Sequence, residues 1–365
     1  MYLPGFPQLQ RSFGVSYTGI ELSLTAFFVG MIGGQLIYGP LSDRYGRRRP
    51  LLVGLGLFSV GSLGCALAPN LSLFIACRVL QALGGCAGMV TSRAIVRDLF
   101  DRQRAAQVFS LLMLVTGLGP ILGPSLGGVI TNFWGWRAIF ALLTVLGVSN
   151  ALSAALFLPE TLSGAGSKLS MQRTLSNYRA LLQDRRYMAY ALSASILSGG
   201  MFAYITGSAF VFVELYHVPS QHYGWIFGTN ALGLMLAAQV NRYLLKTRTI
   251  DSVLRQMIGY AAGSGVVLGV CVYQGAPLWL VMLPLFAYLT TLGFVFPNSS
   301  AGALSHQPRA RAATAAALHG IMQWSMALVA SIAVSQLHDA TARPMAGVIT
   351  IAGLLALGIS RWLTR

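Results

Sequence analysis

Long apolar stretches, each ended by a charged or Pro/Gly-containing turn, dominate the chain. Runs near 17–38, 50–68, 71–92, 105–130, 137–158, 188–213, 222–245, 253–273, 278–300, 312–337 and 345–363 carry few charges. About 20 residues of helix cross a hydrocarbon core, whereas a membrane barrel strand alternates apolar and polar positions over about ten. The pattern therefore predicts eleven full membrane spans, all helical. Lipid offers the backbone no hydrogen bonds, so helices that satisfy their own are the structure such runs can adopt.

Composition sharpens this picture. Only 9% of the 365 residues are charged and 55% are hydrophobic, against about 25% charged in a soluble domain. The net charge of +16 raises nucleic acid as a partner, but its distribution argues for a membrane instead. Nearly all of the basic residues fall on alternate connections: Arg44 to Arg49, Arg93 to Arg104, Lys168 to Arg186, Arg242 to Arg255, Arg309 and Arg311, and Arg361 and Arg365. The opposite side holds Arg11, Arg137 and Arg343, and Arg78 lies within a span. By the positive-inside rule the rich side is cytoplasmic, which puts the C-terminus there too. The four cysteines, Cys65, Cys77, Cys86 and Cys271, lie inside apolar spans at spacings that suit neither a metal site nor a disulfide framework, and read as buried thiols. No cleaved leader is visible after Met1, so insertion is expected to rely on the spans.

A polar stretch over 160–187, containing Ser163-Gly164-Ala165-Gly166-Ser167-Lys168, separates five predicted spans from six. It divides the chain into an N-terminal lobe (1–159), a cytoplasmic linker (160–187) and a C-terminal lobe (188–365). The opening Met1-Tyr2-Leu3-Pro4-Gly5-Phe6-Pro7 is too short to cross a bilayer, and reads as the outer end of a first span that the first half otherwise lacks.

Three groups of residues carry chemistry. The hairpin Gly39-Pro40-Leu41-Ser42-Asp43-Arg44-Tyr45-Gly46-Arg47-Arg48-Arg49-Pro50 combines glycines that free the backbone with arginines that hold a loop on an anionic leaflet. Asp43 is its odd member: a carboxylate among arginines can pair with a neighbouring Arg or helix N-terminus and latch the two halves, or the whole cluster can be a topology anchor. Arg78 sits within a span at a cost of at least about 2.5–3.5 kcal/mol, so it should face the bundle interior and find a partner. Its work is either electrostatic, on a nearby carboxylate, substrate or proton, or structural, through bonds to carbonyls. Gly119, Pro120, Gly123, Pro124, Gly127 and Gly128 crowd one span, where small faces allow close packing and prolines bend the helix.

These residues resemble the signatures of the major facilitator superfamily. The hairpin is similar to its motif A, Arg78-Val79-Leu80-Gln81 to motif B with Ala82 where glycine is usual, and Gly119 to Gly128 to motif C of drug/proton antiporters. Trp134-Gly135-Trp136-Arg137, Leu158-Pro159-Glu160-Thr161-Leu162, Gln35 to Pro40 and Arg97-Asp98 further resemble the Bcr/CflA (bicyclomycin resistance) branch. The resemblance implies an all-α, two-lobed bundle of twelve spans with substrate near the midplane. It also implies a latch of Gly39, Asp43, Arg44, Gly46, Arg47, Arg48, Arg97 and Asp98, and a helix sealed against proton leak by the motif C residues. The family's aspartate immediately before Met-Tyr-Leu-Pro has no counterpart here.

Of the nine acids, Asp43, Asp98, Asp101, Glu160, Asp184 and Asp251 map to the basic side. Glu21, Glu214 and Asp339 remain near the outer ends of spans, and Glu21 and Glu214, with Arg78, are the candidates for proton coupling. Gln35, Tyr204, Asn230, Asn298, His319 and Gln323 are candidates to line an amphipathic cavity, the last two spaced i, i+4 on one helix face. No nucleophile with a base, metal cluster or phosphate loop points to an enzyme, and no cofactor is implied. The expected function is proton-coupled efflux of small amphipathic compounds by a monomer in the bacterial inner membrane. A metabolite symporter and a non-transporting remnant are the alternatives. Reporter fusions check the topology: alkaline phosphatase should be inactive at both the 44–49 hairpin and the 168–186 linker, and active at the 134–137 turn.

Overall fold

The computed structural model describes residues 1–99, 119, 122–161, 171–305, 307 and 312–360, and among these the chain is helical with short connections and no strand. A single 3-10 turn, Leu3–Gly5, leads into α1 (Phe6–Phe13). Next come α2 (Tyr17–Tyr45), α3 (Arg48–Leu67), α4 (Leu71–Leu99), α5 (122–134) and α6 (Trp136–Phe157). Then follow α7 (Met171–Gln183), α8 (Arg185–Ala209), α9 (Ser220–Leu244), α10 (Ile250–Tyr273), α11 (Leu278–Ser305), α12 (Ala312–Gln336) and α13 (Arg343–Ser360). Nine helices among the described residues are long and apolar enough to cross a membrane. Of the other two predicted spans, 105–130 lies largely outside the described residues. The second corresponds to α9, whose Asn230, Gln239 and Asn241 make it too polar for that set.

Local signals set the helix starts. Ser16 and Thr249 cap α2 and α10 by accepting from Gly19 N and Ser252 N, both at 3.3 Å. Asn70 caps α4 through Leu73 N at 2.9 Å, and Asp184 caps α8 through Arg186 N and Tyr187 N at 3.0 Å each. Such caps satisfy backbone N–H groups that a helix leaves without partners. Two helices outrun their apolar runs: α2 continues through Gly39 and Pro40 to Tyr45, and α4 continues to Leu99. Hydropathy marks where the hydrocarbon ends, whereas a helix ends where its backbone turns. The linker also contains more structure than its polarity predicts, since α7 fills half of it.

The chain forms two compact units, Met1–Met171 and Gln172–Arg365. In the first, α4 packs against α2 and α3, and α3 against α6. In the second, α11 packs against α9 and α10, and α10 against α13. The helices correspond in order, so the same wiring occurs twice, as internal repeats produce. In unit 2, α8 adds contacts with α11, α12 and α13. The opening segment is also built in, with Tyr2, Leu3, Phe6 and Leu9 buried.

Contacts within each unit run through small residues. A β-carbon on Gly84 of α4 would meet the Phe58 amide and the Gly54 carbonyl of α3, and one on Gly30 of α2 would meet the Val79 carbonyl of α4. Gly293 of α11 stands in the same relation to the Leu234 carbonyl of α9. Without a hydrophobic force between helices in lipid, such backbone approach supplies the packing. Outward faces expose Val53, Val60, Leu146, Leu152, Leu236 and Leu354, a surface suited to acyl chains, while Phe133, Trp134, Tyr273 and Trp279 lie exposed at helix ends where aromatic belts form. Gly84→Val should therefore cost at least about 1–3 kcal/mol and lower the apparent Tm in detergent. Gly88→Ala, on the same helix with nothing within 4 Å of its added carbon, should leave Tm unchanged or raise it.

Candidate functional site

The arginine-rich turn between α2 and α3 is tied to two distant parts of unit 1. Gly46 ends α2 with φ 86°, a conformation side chains resist, and the space beside it is taken by the Glu160 carboxylate. Glu160 Oε1 accepts from Arg47 N at 2.7 Å and Thr161 N at 3.0 Å, and Oε2 accepts from Arg48 N at 3.3 Å. A carboxylate thus caps the start of α3, where helix dipole and free N–H groups favour negative charge. Arg47 Nε donates to Asp98 Oδ2 at 2.8 Å and its Nη1 to Ser42 Oγ at 3.0 Å. Thr161 Oγ1 reaches the same Asp98 oxygen at 3.4 Å, and the Arg48 guanidinium bonds the Ala155 carbonyl. The turn, the end of α4 and the segment after α6 therefore form one polar cluster.

Of the predicted latch residues, Gly46, Arg47, Arg48 and Asp98 belong to this cluster. Arg44 is exposed with its guanidinium 5.1 Å from the Tyr45 ring centroid, and Gly39 has nothing within 4 Å of an added carbon. The side chains of Asp43 and Arg97 lie outside those described. Glu160 was not among the predicted site residues, although Leu-Pro-Glu-Thr beside an arginine-rich turn signals an acid placed to cap it.

Arg78 is the centre of a second cluster. It is 5% exposed, and its Nη1 donates to Gln81 Oε1, one turn along α4. Gln81 Nε2 in turn donates to Ser62 Oγ of α3 at 2.7 Å. Aromatic rings surround the guanidinium, with Tyr2 at 4.3 Å, Phe27 at 4.4 Å and Phe140 at 5.8 Å to the centroids. Desolvated cation–π contacts of this kind contribute about 2 kcal/mol each, comparable to the cost of holding the charge at depth. The Tyr2 hydroxyl and Ser23 Oγ share a hydrogen bond of 3.2 Å. On the same helix as Ser23, Glu21 is fully buried, so unit 1 holds a cation and a potential anion inside its helices.

The motif C segment is described at Gly119, Pro124, Gly123, Gly127 and Gly128, while Pro120 lies outside the described residues. A carbon on Gly127 would collide with the Met1 carbonyl, and one on Gly123 would lie 3.5 Å from Met1 N. Its small face thus admits the backbone of the opening segment.

In unit 2, Asn230 Nδ2 donates to the Tyr204 hydroxyl at 3.0 Å, and both residues are buried. Asn298 is paired with Asn241, each amide donating to the other at 2.8 and 3.2 Å. His319 is buried on α12 with half-buried Gln323 one turn on. Gln35 is half-buried in unit 1. Glu214 is exposed in a π-helical turn, Phe210–Leu215, that extends α8. Asp339 lies in the turn before α13, where hydrogen bonds from the Thr341 hydroxyl and amide hold its carboxyl below the usual range.

Repeated helical units with a buried arginine and a capped basic turn define a multi-pass membrane transporter. The profile described as Major Facilitator Superfamily matches residues 1–331, and the chain belongs to that superfamily. It is 36% identical over 359 residues to the MFS-type transporter YdgK of Bacillus subtilis (strain 168), covering 97% of this chain and 89% of that one. It is 28% identical over 346 residues to the bicyclomycin resistance protein homolog of Haemophilus influenzae, covering 94% and 87%. The fold resembles the crystal structure of a D-xylose-proton symporter, with TM-score 0.76 over 97% of this chain and 92% of that one at 15% identity.

Removing the cap tests the first cluster. Glu160→Ala removes the acceptor of Arg47 N and of the first α3 amide, Arg48 N, and should cost about 0.5–2 kcal/mol, read as a fall in apparent Tm in detergent. Glu160→Gln, which keeps an acceptor but not the charge, should fall between it and wild type.

Proposed function

We propose that this chain is a proton-coupled antiporter that exports small amphipathic compounds from the bacterial cytoplasm across the inner membrane. The export direction is supported by a relative matched over nearly its whole length, a bicyclomycin resistance protein homolog, since resistance to a compound is what its removal from the cell would give. The proposal divides the chain into lobes 1–159 and 188–365 that alternate access to a midplane site, joined by the 160–187 linker. The basic turns lie in the cytoplasm and the C-terminus with them. A monomer suffices, with a substrate, protons and the bilayer as its partners.

In this reading Glu21 carries the proton. It is enclosed by unit 1, where gaining a proton removes a costly buried charge and losing one requires access to water. Arg78 supplies a fixed positive charge in the same unit, and the ring cage and Gln81 keep its guanidinium from leaving with an anion. Glu214, exposed at a helix end, is the second candidate carrier. Arg47, Asp98 and Glu160 hold the cytoplasmic turn in one state, and the motif C face closes the unit against leak.

Everted vesicles test this. With an inside-acid pH gradient, addition of a substrate such as chloramphenicol should dissipate the gradient as protons leave in exchange. Glu21→Gln and Arg78→Ala should each reduce that exchange at least tenfold, about 1.4 kcal/mol of coupling. Glu214→Gln should reduce it less. Substrate accumulation by intact cells, driven by their outside-acid gradient, would overturn the direction.

A further inference from the structure

Unit 2 contains a polar seam between α8 and α12. The two helices run in parallel register, because the Tyr187 hydroxyl donates to the Ala315 carbonyl at 2.7 Å and Thr206 Oγ1 to Ser331 Oγ at 3.2 Å. Gly199 faces the Met326 carbonyl between these points. Along α12, Ala315, His319, Gln323, Ala327, Ser331 and Ser335 recur every fourth residue, and all but half-buried Gln323 are buried. His319 therefore lies on the stripe that faces α8, level with the turns carrying Ser193 and Ser195.

His319 is only 9% exposed, and neither ring nitrogen has a hydrogen-bond partner among the described residues. The hydroxyls of Ser193 and Ser195 are likewise buried and without a partner there. The side-chain carboxylates of unit 2 lie at helix ends: Asp184 and Asp251 at the starts of α8 and α10, Glu214 beyond α8, and Asp339 before α13. Tyr187, one turn before it across the seam, has its hydroxyl engaged by the Ala315 carbonyl and by the backbone of His319. A neutral imidazole offers one donor and one acceptor, and leaving both unused at a buried position is unfavourable. A merely packed position would be better filled by an apolar ring.

We propose that His319 is a specificity-determining contact for neutral substrates bearing hydroxyl or amide groups, donating from one ring nitrogen and accepting at the other. This rests on the export reading above and names the substrate class of unit 2. Gln323, on the same stripe and half-buried, gives the seam an open polar edge beside the ring. An uncharged donor–acceptor group fits because it satisfies both nitrogens without bringing a charge into the seam. A site built around such pairing rejects analogues that lack it, since their binding leaves the polar groups unpaired.

The test compares wild type with His319→Phe in the full chain, using chloramphenicol, which is neutral with hydroxyl and amide groups, and tetraphenylphosphonium, a cation with no donor or acceptor. In everted vesicles the ratio of chloramphenicol to tetraphenylphosphonium transport should fall at least tenfold, through KM, without a drop in apparent Tm of the purified protein. His319→Asn, which restores a donor and an acceptor, should recover part of the ratio. An unchanged ratio, or parallel loss of both compounds, overturns the proposal. If wild type moves neither compound, export itself fails, and binding decides the site. Chloramphenicol must then raise the Tm of purified wild type and not of His319→Phe; equal shifts, or none, overturn it. Should the phenylalanine variant not accumulate, His319→Leu carries the same comparison.

Discussion

A guanidinium inside hydrocarbon is tolerable only when its charge and donors are put to use, and the interior of unit 1 is organised around that demand at Arg78. Three rings from three parts of the chain, Tyr2, Phe27 and Phe140, turn toward it, and Gln81 relays its hydrogen bond to Ser62 on α3. The opening segment, α2, α3, α4 and α6 thus meet at one side chain. The close approach of the helices follows from the same arrangement, since Gly61 of α3 lies against the backbone of Gln81. A larger residue there would push Ser62 away from the amide that steadies the arginine.

Much of the fold was legible in the chain because lipid enforces a simple code. Apolar run length and alternating arginines fix the helices and their order, and no strand competes among the described residues. Helix ends were less legible: Pro40 was read as part of a loop, yet α2 passes through it, because near the membrane surface a missing backbone hydrogen bond can be replaced. The helix α7 was hidden by its polarity.

The candidate site divides in the same way. Arg78 was readable because its cost is intrinsic to the residue, whereas its cage was not, because cation–π partners have no fixed spacing in sequence. Glu160 was missed as a cap because its acceptor role spans more than a hundred residues, and distant pairing leaves no periodic trace. His319 and Gln323 could be placed on one face from their spacing, but not against α8, since that register is set by Tyr187 and Ser331.

The reciprocal amide pair of Asn241 and Asn298 bears on how unit 2 can deform. Among the described residues each side-chain amide is matched by the other, and neither can slide by a turn without orphaning both. α9 and α11 are in effect bolted at that level. Any flexing of α11 must be taken up away from the bolt, and Pro284, well before Asn298 and where the helical ladder already lacks a rung, is the compliant joint it leaves; Pro297 sits beside the bolt itself.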